Sequence, residues 1–314
     1  MSPRDETSIR ETDHLTSIGL GALSFEEERF HFGMWAMNKS PLTIGAPMNS
    51  SITPAESLAI LRNEEVISIN QDPLGEQAQL IRRFTEEEYD IWSGNLSDSR
   101  MVIGFANWKN DSQTVSVALD VVGISSAVAR DVWASQDLGT ISETFTTELA
   151  GHELKILILS DIEHTGKRPK SEGYYTANNA TLSGSATLTA CSDTQCLPSH
   201  SKVGYIGADN STKVTFPGVE SSSSGTKLVG VDFINYDVAL NTAWEDGTNT
   251  RNMSIAVNGM TAKRWAFPIS GGDWFDSGRL SIHLDGFKKG ANEIVFTAPG
   301  TTWAPDLVGF EIFV

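Results

Sequence analysis

Residues 24–46 read S-F-E-E-E-R-F-H-F-G-M-W-A-M-N-K-S-P-L-T-I-G-A, and residues 51–75 read S-I-T-P-A-E-S-L-A-I-L-R-N-E-E-V-I-S-I-N-Q-D-P-L-G. Ser24 with Glu27 three places on is a capping box, so a helix starts at Phe25. Phe30, Gly33, Met34 and Met37 recur at i, i+3, i+4 and i+7 and mark one apolar face. Phe32, Trp35 and Ala36 widen that face until the helix is apolar nearly all round, a pattern that expects burial on more than one side. Pro41 ends the helix, and Leu42–Ala46 is a short apolar run of strand type. Thr53, Pro54 and Glu56 supply a second helix start: a cap, a proline at the first helical position and a box glutamate. Asn63 caps a short third helix through Val66 and Ile69, closed by the turn Asp72-Pro73-Leu74-Gly75.

Within this stretch the strings E-E-x-R-x-H-F-x-M-W-A-x-x-K-S-P-L-x-I-G and L-A-I-L-x-N-x-x-V-I-x-I-N-Q-D-P-L-G resemble the end of the catalytic barrel in the α-galactosidases of glycoside hydrolase family 27. The resemblance implies that residues 1–78 are the C-terminal remnant of a (β/α)8 barrel, whose helices press on the strands and on one another. It also implies hydrolysis of terminal α-galactose by a retaining mechanism, which needs two carboxyl groups ~5 Å apart. In the family both are aspartates on the fourth and sixth barrel strands, ahead of the segment matched here, so no catalytic residue is assigned in this chain. Asp13, in T-D-H-L, falls where the family has a D-x-D-M-L type segment that reaches the sugar, and by resemblance it contacts a galactose hydroxyl. Glu11 and Thr12 precede it here, and His14 stands for a methionine. Asp72 is accounted for by its turn.

Composition narrows the function classes. The chain has 314 residues, 39% hydrophobic and 20% charged, which is globular and long enough for two or three domains. A net charge of −17 argues against nucleic-acid or anionic-membrane partners, which want a basic patch. No apolar run approaches the about 18 residues of a membrane span. The opening M-S-P-R-D-E-T-S-I-R-E-T-D-H-L-T is polar and unlike a signal peptide. Cys191 and Cys196, with no further cysteine to complete a ligand set, make a poor zinc site and favour a small disulfide loop, hence an oxidising compartment. Sequons at Asn49, Asn95, Asn110, Asn179, Asn210 and Asn252 point the same way, while Asn38 sits at a helix end and is set aside. Secretion is therefore expected, with the true N-terminus upstream of Met1. The six histidines (14, 31, 152, 164, 200 and 283) show no metal spacing. There is no G-x-S-x-G, and Gly19-Leu-Gly21 lacks the third glycine of a dinucleotide loop.

After Gln79 the period changes to two. Leu80–Phe84, Tyr89–Trp92, Met101–Trp108, Thr114–Leu119, Ala127–Trp133, Phe145–Leu149 and His152–Leu159 read as strands, with Thr114–Leu119 as hairpin partner of Met101–Trp108 across the Lys109–Asp111 turn. Residues 79–160 are thus an antiparallel β-sandwich domain, and 161–173 a charged linker. Residues 174–314 alternate through Val203–Ile206, Lys213–Phe216, Leu228–Ile234, Met253–Val257, Leu280–Leu284, Glu293–Phe296 and Leu307–Val314, which suggests a β jelly-roll module. The chain as a whole is expected to be mostly β.

The strings A-T-L-S-G, V-G-Y-I-G, I-A-V-N-G, F-P-I-S-G-G-D-W, G-A-N-E-I-V-F and P-D-L-V-G-F-E-I-F-V resemble carbohydrate-binding module family 35. Such modules hold a structural calcium with carboxylates near the first strand and an aspartate near the last. Asp306 is that aspartate by resemblance, whereas Thr176 and Asn178 stand where glutamates are usual. Sugar contact would use aromatic faces and polar partners on loops, with Trp244, Trp274 and Trp303 as platforms and Arg251, Asn241 and Asp273 beside them. Three readings follow: the C-terminal part of an α-galactosidase, inactive alone; a non-catalytic binder of galactose-containing oligosaccharides or polysaccharides through residues 174–314; and one half of a split enzyme completed by an N-terminal barrel half. The first and third expect exposed apolar surface on the Phe25–Met37 helix; the second expects it buried within the chain.

Overall fold

Ser24 opens the first helix as its box requires: its hydroxyl accepts from Glu27 N, and Glu27 accepts in return from Ser24 N. The computed structural model describes residues 16–165, 170–207, 211–237, 250–300 and 302–314. Among them are the helices α1 (Phe25–Met37), α2 (Ala55–Leu61) and α3 (Glu64–Asn70), followed by β-strands almost to the end. The chain divides into two units, Met1–Ile81 with Glu88–Lys167, and Arg82–Glu87 with Arg168–Val314. No described helix is long and apolar enough to cross a membrane.

The strands of the first region are β1 (Gln79–Phe84), β2 (Tyr89–Leu96), β3 (Arg100–Asn107), β4 (Gln113–Ala118), β5 (Ile124–Asp131), β6 (Gln136–Ser142), β7 (Thr144–Leu149) and β8 (Leu154–His164). Six form one antiparallel sheet in the order β1-β2-β3-β8-β5-β6, and β4 pairs with β7. Adjacency along the chain suggests β4 as the hairpin partner of β3, but β3 takes β2 and β8 as neighbours, and Gln113↔Leu149 to Ala118↔Thr144 sets β4 against β7. The run Leu42–Ala46 makes only one parallel bridge, Thr16↔Ile44, because no described strand extends it.

α1 lies on the β3–β8 face of the sheet. A Cβ on Gly33 would sit 2.7 Å from Ile156 Cδ1, and one on Gly104 would sit 2.9 Å from Met37 Sδ, so glycine on each surface permits the close approach. Phe32, Ala36 and Met37 are buried with Ile60, Leu61, Val66, Ile69, Val102, Leu154 and Ile156 in one core, and Phe30 and Met34 pack against it. The burial is therefore internal, and the expectation of an exposed apolar face on this helix is corrected: the sheet of the same chain covers it. What stays exposed is Phe25 at the start of the helix and, in the flanking loops, Leu20, Ile44, Met48 and Ile52.

α2 and α3 are docked by polar contacts. Thr53 does not cap α2, since its hydroxyl donates to Pro47 O at 2.6 Å and Pro54 holds the cap position. Asn63 caps α3 by accepting from Glu65 N and Val66 N. The Arg130 guanidinium grips Glu65 with two 2.7 Å bonds and ties α3 to β5. The closing turn is fixed by Asp72, whose Oδ1 accepts from Leu74 N and Ser97 N and whose Oδ2 accepts from Ser97 Oγ and Arg100 Nη2.

The second region contains β9 (Ser171–Thr176), β10 (Thr181–Ser183), β11 (Thr187–Ala190), β12 (Ser201–Gly204), β13 (Lys213–Ser221), β14 (Gly225–Ile234), β15 (Arg251–Val257), β16 (Lys263–Phe267), β17 (Gly278–Phe287), β18 (Gly290–Thr297) and β19 (Asp306–Phe313). They form two antiparallel sheets, β10-β13-β18-β15-β16 and β11-β12-β19-β14-β17, with β9 also on β19. Aromatic rings join the sheets: Phe216 and Phe296 of the first meet Phe310 of the second with centroids 4.9 and 5.5 Å apart, and Phe267 meets Phe233 at 4.8 Å. The rings hold the two faces together as one apolar core.

Burial pushes the Asp72 carboxyl upward, but the bonds from Ser97 and Leu74 and the charge of Lys39 outweigh it and hold it below its ordinary 3.8. A depressed carboxyl contributes stability above the unfolded value and loses it as pH falls through the folded one. Asp72→Asn is expected to cost about 1–3 kcal/mol at neutral pH and to flatten the loss of stability on acidification below pH 3.8, read by denaturant melts across pH.

Candidate functional site

Loops at one end of the second unit bring together part of the aromatic set. Tyr205 follows β12 directly, with φ 54°, and 67% of its surface is exposed. A tyrosine in the left-handed region carries roughly 1–3 kcal/mol of strain, which its surroundings must hold. Its ring meets Trp303 edge to face, centroids 6.3 Å apart, and Trp303 is itself 44% exposed.

Arg251, at the start of β15, links this pair to the neighbouring loops. Its Nη1 donates to Ala304 O at 3.2 Å, next to Trp303, and its Nε and Nη2 donate to Asp237 Oδ2 at 3.3 and 3.2 Å. Its guanidinium carbon lies 4.8 Å from the centroid of the Trp274 ring, a cation–π geometry, and Tyr236 stands edge-on to that ring at 6.5 Å. Asp273 turns its carboxylate inward, accepting from Phe275 N and Asp276 N, so it shapes its own loop. Arg251, Trp274 and Trp303 thus occupy one end of the fold, and Tyr205, Tyr236 and Asp237 join them. Trp244 and Asn241 lie outside the described residues, as do Asp13 and Asn210. Exposed aromatic faces beside a guanidinium and a carboxylate can stack on pyranose C–H groups and bond sugar hydroxyls.

Beneath this surface Asp306 opens β19 with its carboxylate 2.7 Å from Lys202 Nζ. Burial raises the Asp306 pKa, and the charges of Lys202 and Arg251 draw it back without cancelling the shift. Thr176 donates to Asn179 Oδ1, and Asn178 is exposed. Among the described residues no three His, Cys, Asp or Glu side chains converge as metal ligands. Cys191 and Cys196 are joined as a disulfide, and Cys196 is buried with Ile234 and Val308, packed by Trp274 and Phe275.

The remaining candidates are distributed over the surface. Asn49, Asn95, Asn110 and Asn179 are exposed, and Asn252 is half-buried with its Oδ1 accepting from Arg264. Asn38 donates to Met34 O at the end of α1. His152 pairs with Glu27 at 2.9 Å, fastening the start of α1 to the turn before β8.

A family model described as alpha galactosidase C-terminal beta sandwich domain matches residues 86–159. The chain is 28% identical over 408 aligned positions to a probable alpha-galactosidase D of Aspergillus niger, covering 95% of this chain and 61% of the relative. It is likewise 28% identical over 406 positions to alpha-galactosidase D of Emericella nidulans, covering 94% of this chain and 61% of that one. The chain therefore spans about 61% of the length of these curated relatives. Because the alignment is longer than the 314 residues of this chain, the matched span of the relative includes positions with no counterpart here. Among solved structures, alpha-galactosidase I from Mortierella vinacea gives a TM-score of 0.45 at 26% identity, covering 48% of this chain and 40% of that one.

Proposed function

We propose that the chain is a member of the α-galactosidase family, matching its C-terminal part, and that it serves the removal of terminal α-galactose from galactosides without carrying the chemistry itself. The observation behind this reading is the family match over residues 86–159, on strands β2–β8, directly after the barrel-like motif. We read residues 1–78 as barrel remnant, 79–160 as β-domain and 174–314 as module; of the expected linker 161–173, residues 161–164 continue β8 and 171–173 open β9. A retaining glycosidase needs its two carboxyl groups ~5 Å apart. The resemblance puts both ahead of the matched segment, and Asp72, the carboxylate of the D-P-L-G turn, has both oxygens engaged by Ser97, Leu74 and Arg100. Turnover would then require the barrel strands that carry those two carboxyl groups.

A second reading, sugar binding by residues 174–314, is favoured by the burial of the Phe25–Met37 helix against this chain's own sheet, and by the Tyr205–Trp303 pair: two exposed rings, one on a strained backbone, near an anchored arginine. Its ligand would be a galactose-containing oligosaccharide or polysaccharide. The Cys191–Cys196 bond and the exposed sequons support secretion of the protein as a glycoprotein.

Two measurements check these assignments. The purified chain is expected to give no hydrolysis of a nitrophenyl α-galactoside alone and to give turnover when a barrel half from a relative is added; turnover by the chain alone would refute its non-catalytic role. In affinity electrophoresis through a galactose-branched polysaccharide, Tyr205→Ala and Trp303→Ala are each expected to weaken binding about tenfold, a loss of about 1.4 kcal/mol. Unchanged retardation in both variants would remove the platform.

A further inference from the structure

We propose that the ammonium of Lys202 is a built-in cation that holds Asp306 and the Trp274 loop in place of the calcium ion that the resemblance implies, so that this end of the second unit folds without metal. The proposal rests on the packing of the loops and holds whether or not the Tyr205–Trp303 pair binds sugar.

Lys202 is a strand residue, on β12, yet it is buried. A buried ammonium requires an anion and further acceptors. It has Asp306 Oδ2 at 2.7 Å and Trp274 O at 2.6 Å, and it stands 4.7 Å from the centroid of the Phe275 ring and 5.9 Å from that of Trp274. One carboxylate, one carbonyl and two ring faces thus surround a single positive charge. Calcium wants six to eight oxygens, several of them charged. The positions that would supply carboxylates carry Thr176 and Asn178; the first bonds Asn179 and the second faces solvent.

The charges explain why the substitutions belong together. A divalent ion among three carboxylates leaves one net negative charge. With two of the three replaced by neutral residues, a divalent ion beside Asp306 alone would leave a buried net positive charge. A monovalent ammonium beside that aspartate leaves none. Lys202 also does what a bound ion does for a loop. It clamps the Trp274 carbonyl to β12 and β19, which sets the Trp274 ring under Arg251 and through Arg251 reaches Ala304 and the Trp303 segment.

The test is calorimetry of the full chain in chelator and in millimolar calcium chloride, with isothermal titration of calcium alongside. The melting profile is expected to be the same in both solutions, with no saturable calcium uptake. Lys202→Met is expected to lower the transition of the second unit by roughly 10 °C, with no recovery on adding calcium. Lys202→Ser combined with Thr176→Glu and Asn178→Glu should acquire a transition that rises with calcium. A wild-type transition that falls in chelator, saturable calcium binding by the wild type, or a Lys202→Met profile identical to wild type would each overturn the proposal. The wild-type comparison stands even if the substituted chains fail to fold.

Discussion

The backbone of α1 approaches the sheet where glycine removes a side chain from each surface, Gly33 on the helix and Gly104 on β3. That approach lets Phe32, Ala36 and Met37 leave water entirely and lets Met37 O accept from Ala78 N, which fixes the entry into β1. A helix of this length is marginal in water on its own, so its order depends on the sheet beneath it. α2 and α3 depend on α1 in turn, because Ile60, Leu61, Val66 and Ile69 share its core. The helical segment is thereby a layer on the β-sheet that follows it, and polar clamps at Arg130–Glu65, Asp72–Ser97 and His152–Glu27 pin its three corners.

The second unit solves a different problem. Its apolar core closes through aromatic contacts between two sheets, but its loop end gathers charges that must be neutralised under an exposed surface. Lys202 with Asp306 and Arg251 with Asp237 do this in two tiers, one buried and one half-exposed. The upper tier bonds the carbonyl of Ala304 beside Trp303 and caps the Trp274 ring, and the lower tier holds the Trp274 loop.

Much of this was legible in the sequence because it is written locally. The Ser24–Glu27 box and the Asn63 cap need only residues within one turn, and the longer alternating runs from Tyr89 to Leu159 appear as strands. Features set by distant partners were not legible. Thr53 has the composition of a cap, yet its hydroxyl finds Pro47. β4 has the spacing of a hairpin with β3, yet the Leu154–Leu159 segment takes that place in the sheet. β6 and β11 are exposed along nearly their whole length and carry no apolar alternation to reveal them. At the site, Arg251, Trp274 and Trp303 were visible as residue types on loops. Tyr205 was hidden inside V-G-Y-I-G, which reads as strand interior, and Lys202 was hidden because a lysine in a strand ordinarily faces water.

The central claim is that α1 is an integral layer of the β-domain in this chain as it stands. Native-state hydrogen exchange tests it most directly. The amides of Phe32–Met37 should exchange with the same opening free energy as those of Val102–Phe105 and Leu154–Leu157, since all open with one core. Exchange of the helix orders of magnitude faster than the strands, with dye binding in native buffer, would contradict it and return the helix to a face that waits for a partner.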